Sequence, residues 1–395
     1  MKQLKSYIII SLLFSGIFVS AQNSFDKVLA EIEINNKVLK AAQQSSEVQK
    51  LDARTGIYLP DPSVEYERMW GNEAANRGIE SELKVIQEFD FPTAYYQRNK
   101  IVNLKSSQAD VQYQIARQEI LLETKLLCVE LVYLNKLKNI LGHRLKNADD
   151  LNISYKKRLE IGDANVLEAN KIGLELLNMQ TEYRLNEVEI NNRLQKLSEL
   201  NGGVSVLFSD TSYFDIPAFI NFDAILQRSL EINPELNNLR KQGEIAEKSV
   251  SLAKSLRLPK LSLGYQMNMT GPEKFYGLNA GISIPLWENK NTVKRARAEV
   301  VLAGMEIENA SLEQTNELKQ LHEKIIALQK SNEEYKKLLS TQNNERLLSK
   351  ALSLGQISLL EYLTEVNFLY QSTENFLQTE RDYYLAVSQF LKAEL

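Results

Sequence analysis

The sequence predicts a mainly α-helical fold with a small β part, built twice over in one chain. Three observations carry that prediction. All eight prolines of the 395 residues fall outside two long intervals, 93–216 and 286–395. Short stretches of alternating apolar and polar residues stand just ahead of each interval. The same features then recur in the same order in both halves.

Proline inside a helix removes a hydrogen bond and clashes with the preceding turn, so the two proline-free intervals are where uninterrupted helix can run. Their apolar spacing agrees. Leu134, Leu137, Leu141, Leu145, Ala148, Tyr155 and Leu159 step by three, four or seven residues, as do Ala169, Ile172, Leu176, Met179 and Tyr183. The second half repeats this with Leu318, Leu321, Ile325, Leu328 and Tyr335, then Leu363, Val366 and Tyr370. Such spacing is the seam of helices packed in coiled-coil fashion. A helix from Pro92 to Ile161 would be about 105 Å long at 1.5 Å per residue, a rod no globular core can use.

The strand segments follow a period of two. Leu261–Met269 and Tyr276–Ile284 alternate at every step, Ile79–Phe91 less cleanly, and Ser63–Met69 less cleanly still. One face collects Leu261, Leu263, Tyr265, Met267, Leu278, Ala280, Ile282, Leu83, Val85 and Phe89. The other collects Ser262, Gln266, Asn268, Asn279, Ser283, Glu80, Glu82, Lys84, Glu88 and Asp90. The flanking helices spend their apolar stripe on one another, and the segments have the roughly 9–11 residues of a transmembrane strand. Tyr66, Trp70, Tyr265, Tyr276 and Trp287 stand at or near the expected strand ends, where an aromatic girdle would lie. Four strands cannot close a transmembrane barrel, the smallest of which has about eight, and an open edge in lipid leaves backbone groups unpaired at several kcal/mol each. Several subunits must therefore share one barrel.

Duplication sets the domain plan. Phe25-Asp26 is echoed by Phe222-Asp223, Ile34-Asn35 by Ile232-Asn233 and Leu59-Pro60 by Leu258-Pro259. Phe91-Pro92 matches Ile284-Pro285 and Leu159–Gly162 matches Leu352–Gly355, both at an offset of 193 (91 to 284, 159 to 352). The expected first repeat is 22–212, with a helix, a β-hairpin about 58–91, a long helix 92–161 and a return helix 164–200. The expected second repeat is 213–395, with a helix, a β-hairpin about 258–286, a long helix 287–354 and a return helix 357–394.

Residues 1–21 read as a signal peptide: Lys2 and Lys5, an apolar stretch from Tyr7 to Val19, then Val19-Ser20-Ala21. No later run is long enough for a transmembrane helix, so any membrane crossing falls to strands. The formal net charge is −4, more negative once Lys2 and Lys5 are removed, which argues against a nucleic-acid partner. Cys128 is the single cysteine, and His143 and His322 each stand alone in a helical pattern, so no metal cluster or cofactor site is expected. There is no phosphate loop, nucleophile elbow or metalloprotease motif, and an enzyme is not expected.

The chain resembles the TolC family of outer-membrane factors over essentially all of its mature length. The resemblance is carried by Glu88-Phe89-Asp90-Phe91-Pro92-Thr93 and its counterpart Ser283-Ile284-Pro285-Leu286-Trp287, by Leu258–Tyr265, and by the glycine-centred turns Gly162–Glu168 and Gly355–Glu361. It implies a homotrimer with a shared transmembrane β-barrel, four strands per chain, continuing into a long coiled-coil helical barrel in the periplasm. It further implies a passive exit duct of a tripartite efflux or type I secretion system, working with a periplasmic adaptor protein and an inner-membrane pump and embedded in outer-membrane lipid. The tip turns Gly162, Asp163, Ala164, Gly355, Gln356 and Ile357 would form the periplasmic entrance and the adaptor contact. Glu168 and Glu361, six positions after each glycine, would be entrance carboxylates. A second reading of these two is open: a carboxylate suits the positive end of the helix dipole with no gate at all. Better-known members carry Asp here, and Thr364 is uncharged where some carry a further acid. Glu65, Glu67, Glu80, Glu82, Glu88 and Asp90 are the expected barrel-lumen carboxylates. The rival reading from another class is a periplasmic structural or adaptor-like coiled coil, which would carry one helical hairpin rather than two.

Overall fold

The computed structural model describes residues 24–71, 78–216, 221–341 and 344–395. The expected leader, 1–21, lies outside the described residues. The first half runs α1 (Ser24–Asn35), α2 (Lys37–Arg54), β1 (Ser63–Trp70), β2 (Ile79–Phe89), α3 (Pro92–Glu160) and α4 (Val166–Leu200). The second half runs α5 (Phe222–Ile232), α6 (Pro234–Ser255), β3 (Lys260–Thr270), β4 (Glu273–Ser283), α7 (Thr292–Thr341), α8 (Asn344–Ser353) and α9 (Leu359–Phe390). Among the described residues no helix is long and apolar enough to cross a membrane.

The two halves use the same local chemistry. α1 hands over to α2 at Asn36, whose side chain accepts from Leu39 N–H and donates to the Leu200 carbonyl at 2.8 Å. α5 hands over to α6 at Asn233, which accepts from Glu235 and Leu236 N–H and donates to Gln314 Oε1 at 2.8 Å. Each asparagine is almost fully buried and does two jobs, capping a helix start and bonding a distant element. α3 begins directly on Pro92, whose fixed φ suits the first helical turn.

The second junction departs from the expected boundary. α7 starts at Thr292 rather than near 287, because Asn291 takes a left-handed conformation (φ 67°) that ends the preceding turn. Asn289 bonds the Leu256 carbonyl and Glu288 pairs with Lys260 at 3.1 Å, so this turn is tied to the base of β3. The return helices start at Val166 and Leu359, two residues later than expected, since Asn165 and Ser358 are extended and serve as N-caps.

The four strands form one antiparallel sheet in the order β1-β2-β3-β4. The central pairing, β2 with β3, joins the two halves, with Leu83 opposite Met267 and Phe89 opposite Leu261. Register corrects the placement of the aromatics. Tyr66 and Tyr276 share one cross-strand row through Leu83 and Met267, and Tyr265 lies in the next row. These three stand within the strands, while Trp70 ends β1 and Trp287 lies beyond β4.

Helices continue the strand order. Nearest the sheet, α2 packs on α3, α3 on α6 and α6 on α7. Farther away, α4 packs on α3, α3 on α9, and α9 on both α7 and α8. Each layer is an open arc whose outer members keep apolar side chains exposed: Val38, Val48 and Leu51 on α2, Leu174, Leu177, Leu185 and Val188 on α4, and Met305, Leu312, Ile326 and Leu338 on α7. A belt holds the arcs together midway. Phe25 of α1 stands edge-on to Phe208 and Phe214 of the connecting segment, ring centroids 5.4 Å apart, over Val129 and Val132 of α3, Leu197 of α4 and Val387 and Phe390 of α9. Cys128 sits in this core, and burial pushes its thiol up to about 12, so it is unreactive.

Asn233→Ala is expected to cost about 1–2 kcal/mol through loss of the cap, while Asn233→Asp keeps the cap and loses less. Chemical denaturation followed by circular dichroism measures both.

Candidate functional site

Pairing fixes the two faces of the sheet. Val64, Tyr66, Leu83, Val85, Phe89, Leu261, Leu263, Tyr265, Met267, Tyr276, Leu278, Ala280 and Ile282 all fall on one side in register. Much of this apolar face is bare: Leu278 is 91% exposed and Ile282 69%. Glu65, Glu67, Glu80, Glu82 and Glu88 fall together on the opposite, polar side. Glu67 stands directly across from Glu82, a like-charge pairing that costs energy in isolation. Lys84 relieves it at 2.7 Å from Glu82, and the Gln266 amide donates to the same carboxylate. Asp90 differs from the other five. It lies past the end of β2, where Arg98 of α3 pairs with it at 2.5 Å.

The polar face is crowded at two positions of β3 and β4. A Cβ on Gly264 would meet the Val85 carbonyl oxygen at 2.8 Å, and one on Gly281 would meet Ser262 Oγ at 2.5 Å. Both glycines lie on the polar side, and close approach at these two positions leaves no room for a side chain.

At the opposite end the two helical hairpins close with identical geometry. Gly162 and Gly355 are left-handed (φ 80° and 68°). Asp163 N–H bonds the Arg158 carbonyl while Gly162 N–H bonds Leu159, and Gln356 and Gly355 repeat this with Ala351 and Leu352. Each is a Schellman cap followed at once by the next helix start. Asn165 and Glu168 then form a reciprocal capping box, and Ser358 and Glu361 form its twin. Glu361 accepts from Ser358 N–H at 2.7 Å, and these hydrogen bonds to Ser358 hold its carboxyl below the usual range. Glu168 and Glu361 therefore each cap the start of a return helix.

Ala164 and Ile357 turn inward onto a small core of Tyr155, Ile172, Leu359, Tyr362, Leu363 and Val366, which joins the two tips. Asp163 is held outward by Arg158 at 2.8 Å. Above the tips, Glu345 of α8 accepts from Asn147 of α3 and from Tyr370 of α9, with His143 Nδ1 at 3.4 Å. His322 instead packs beside the rings of Phe222 and Phe390. Among the described residues no group of His, Cys, Asp or Glu is placed to hold a metal ion.

This architecture has known counterparts. The chain matches CusC over 95% of its length and 92% of that chain, with a TM-score of 0.75 at 16% identity. It matches VceC, an outer membrane protein of Vibrio cholerae, over 93% and 95%, with a TM-score of 0.76 at 12% identity. It has the fold of the TolC-family outer-membrane channels. In sequence it is 22% identical over 338 residues to outer membrane protein TolC of Vibrio cholerae serotype O1, covering 77% of this chain and 75% of that protein. No family model matches the sequence.

Four exposed side chains at the hairpin tips went unread in the sequence. Ile161 and Leu354 precede the two glycines, and Leu167 and Leu360 each follow an N-cap by two positions; all are more than half exposed. Their signal was available, since both pairs keep the 193-residue offset (161 to 354, 167 to 360). The capping boxes too were legible as Asn165-x-x-Glu168 and Ser358-x-x-Glu361.

Because the Glu361 carboxyl is held below its unfolded value, its stabilisation is present above the ordinary carboxylate range and lost as pH falls through the depressed folded value. Thermal unfolding over an acid pH series should show that component in the native protein. It should disappear in Glu361→Ala, and Glu361→Gln should retain the cap without the pH dependence.

Proposed function

We propose that the chain is the outer-membrane exit duct of a tripartite efflux or type I secretion system. On this reading three copies close one barrel of strands and one of helices, and substrates pass through after delivery by an inner-membrane pump and a periplasmic adaptor. One observation carries it: the strand layer and both helical layers are open arcs with the same order of elements, and every arc leaves two edges unpartnered. β1 and β4 leave backbone groups free along the sheet edges, which lipid cannot satisfy. Repeating the chain around an axis closes all the arcs at once. The number three comes from likeness to the family.

The polar face would line the duct and the apolar face would meet lipid. Crowding at Gly264 and Gly281 supports that orientation, since the inner side of a small barrel has the least room. The glutamates of β1 and β2 then stack as acidic rings favouring cations. The paired tips, with exposed Ile161, Leu354, Leu167 and Leu360, form the periplasmic entrance and the adaptor contact. Glu168 and Glu361 ring that entrance while capping their helices.

Purified outer membranes should yield a heat-modifiable trimer band; recovery only in the soluble periplasmic fraction would favour the adaptor-like alternative. Reversal potentials in a salt gradient across planar bilayers should show cation preference, reduced in a Glu67→Gln, Glu80→Gln, Glu82→Gln variant. Anion preference in the native protein would invert the assigned facing. Glu361→Gln is expected to raise open probability or weaken block by divalent cations, and unchanged gating would remove the entrance role.

A further inference from the structure

Where the strands end and α3 begins, the apolar face of the sheet is hollowed into a notch of about 680 Å³. Leu59, Phe89, Leu261, Leu263, Ala280 and Ile282 line it, together with Pro92 and Tyr95 from the first turn of α3. Few polar groups touch it. Tyr95 hydroxyl accepts from Asp90 N–H at 3.0 Å, and the Asp90 carboxylate is paired with Arg98. The Arg98 guanidinium lies over the Tyr95 ring, 5.4 Å from its centroid, which brings a cation beside an otherwise apolar hollow.

We propose that this notch holds one acyl chain of a membrane phospholipid, with the headgroup phosphate drawn to Arg98. The proposal rests on the reading that the apolar face meets lipid. The notch opens on that face, continuous with exposed Leu278 and Tyr276. It lies at the end of the sheet from which the helices extend, where headgroups of the nearer leaflet would stand. A neighbouring strand adds beside β4 in the plane of the sheet and covers its edge, whereas Leu263, Ala280 and Ile282 project from the face. An acyl chain suits the lining, and the guanidinium of Arg98, one-quarter exposed and giving Asp90 a single N–H, keeps further donors for a phosphate. Such a lipid would brace the place where β2 passes into α3.

The test uses the full-length trimer purified from outer membranes. Bound phospholipid is measured by organic extraction and phosphorus assay after detergent exchange, and trimer integrity by heat modifiability. A Trp70→Phe background leaves Trp287 as the sole tryptophan, reporting phospholipid brominated along its acyl chains. We expect retained phospholipid at one per chain and saturable quenching of Trp287. Ala280→Phe, which fills the notch, should abolish both. Leu278→Phe, on the same face but outside the notch, should abolish neither, and Arg98→Gln should reduce retention. Equal retention in the two phenylalanine variants overturns the proposal. A chain absent from the outer-membrane fraction overturns the reading beneath it; a chain that is there, trimeric and conducting but free of phospholipid overturns this proposal alone.

Discussion

Unclosed edges govern this molecule. In the sheet the edges are backbone donors and acceptors along β1 and β4; in the helical layers they are apolar stripes on α2, α4 and α7. The two kinds differ in what they cost. An exposed apolar stripe in water forfeits about 25 cal/mol for each Å² left uncovered, whereas an unpaired peptide group in lipid costs several kcal/mol by itself. On the proposed reading the strand edges set the requirement for closure, and the helical edges would fix its alignment by presenting their seams in the same order.

Duplication is the economical way to make such an arc. Each half contributes two strands and a helical hairpin, and β2–β3 pairing joins the halves inside the chain. The caps repeat with equal fidelity: an asparagine between the short helices, a Schellman glycine at each tip, a capping box at each return. The halves diverge where they meet the sheet. α3 starts directly on Pro92, whereas α7 waits for a turn ended by Asn291 and fastened by Glu288 and Asn289. That asymmetry makes the notch possible on one side of the sheet base, since Tyr95 can reach over the sheet only because α3 begins immediately.

At the tips, structure and charge are coupled. A carboxylate locked in a capping box is less free to respond to a neighbour than one on a loose turn, and the hydrogen bonds that lower its proton affinity keep it ionised as other carboxylates begin to protonate. An entrance carboxylate at Glu361 would carry its charge persistently. Movement there would have to come from the helices, through the shared tip core and the Glu345 link to Asn147 and Tyr370, rather than from the carboxylates swinging independently.

The sequence alone set out where long helices can run, the alternating strands and their repetition, because proline exclusion and the periods of 3.6 and 2 are local properties written residue by residue. That the second long interval holds two helices, α7 and α8, ahead of its return helix was not among them. The sequence also sorted the side chains of the strands into two faces, since parity along a strand survives any pairing. Tertiary structure decided what depends on register and contact. It put Tyr66 and Tyr276 in one row, set Asp90 aside in a pair with Arg98, and delayed α7 to Thr292. It assigned Glu168 and Glu361 their capping bonds and hollowed the notch between sheet and helix. Those features join residues tens to hundreds of positions apart, or turn on one backbone angle, and no local period records them.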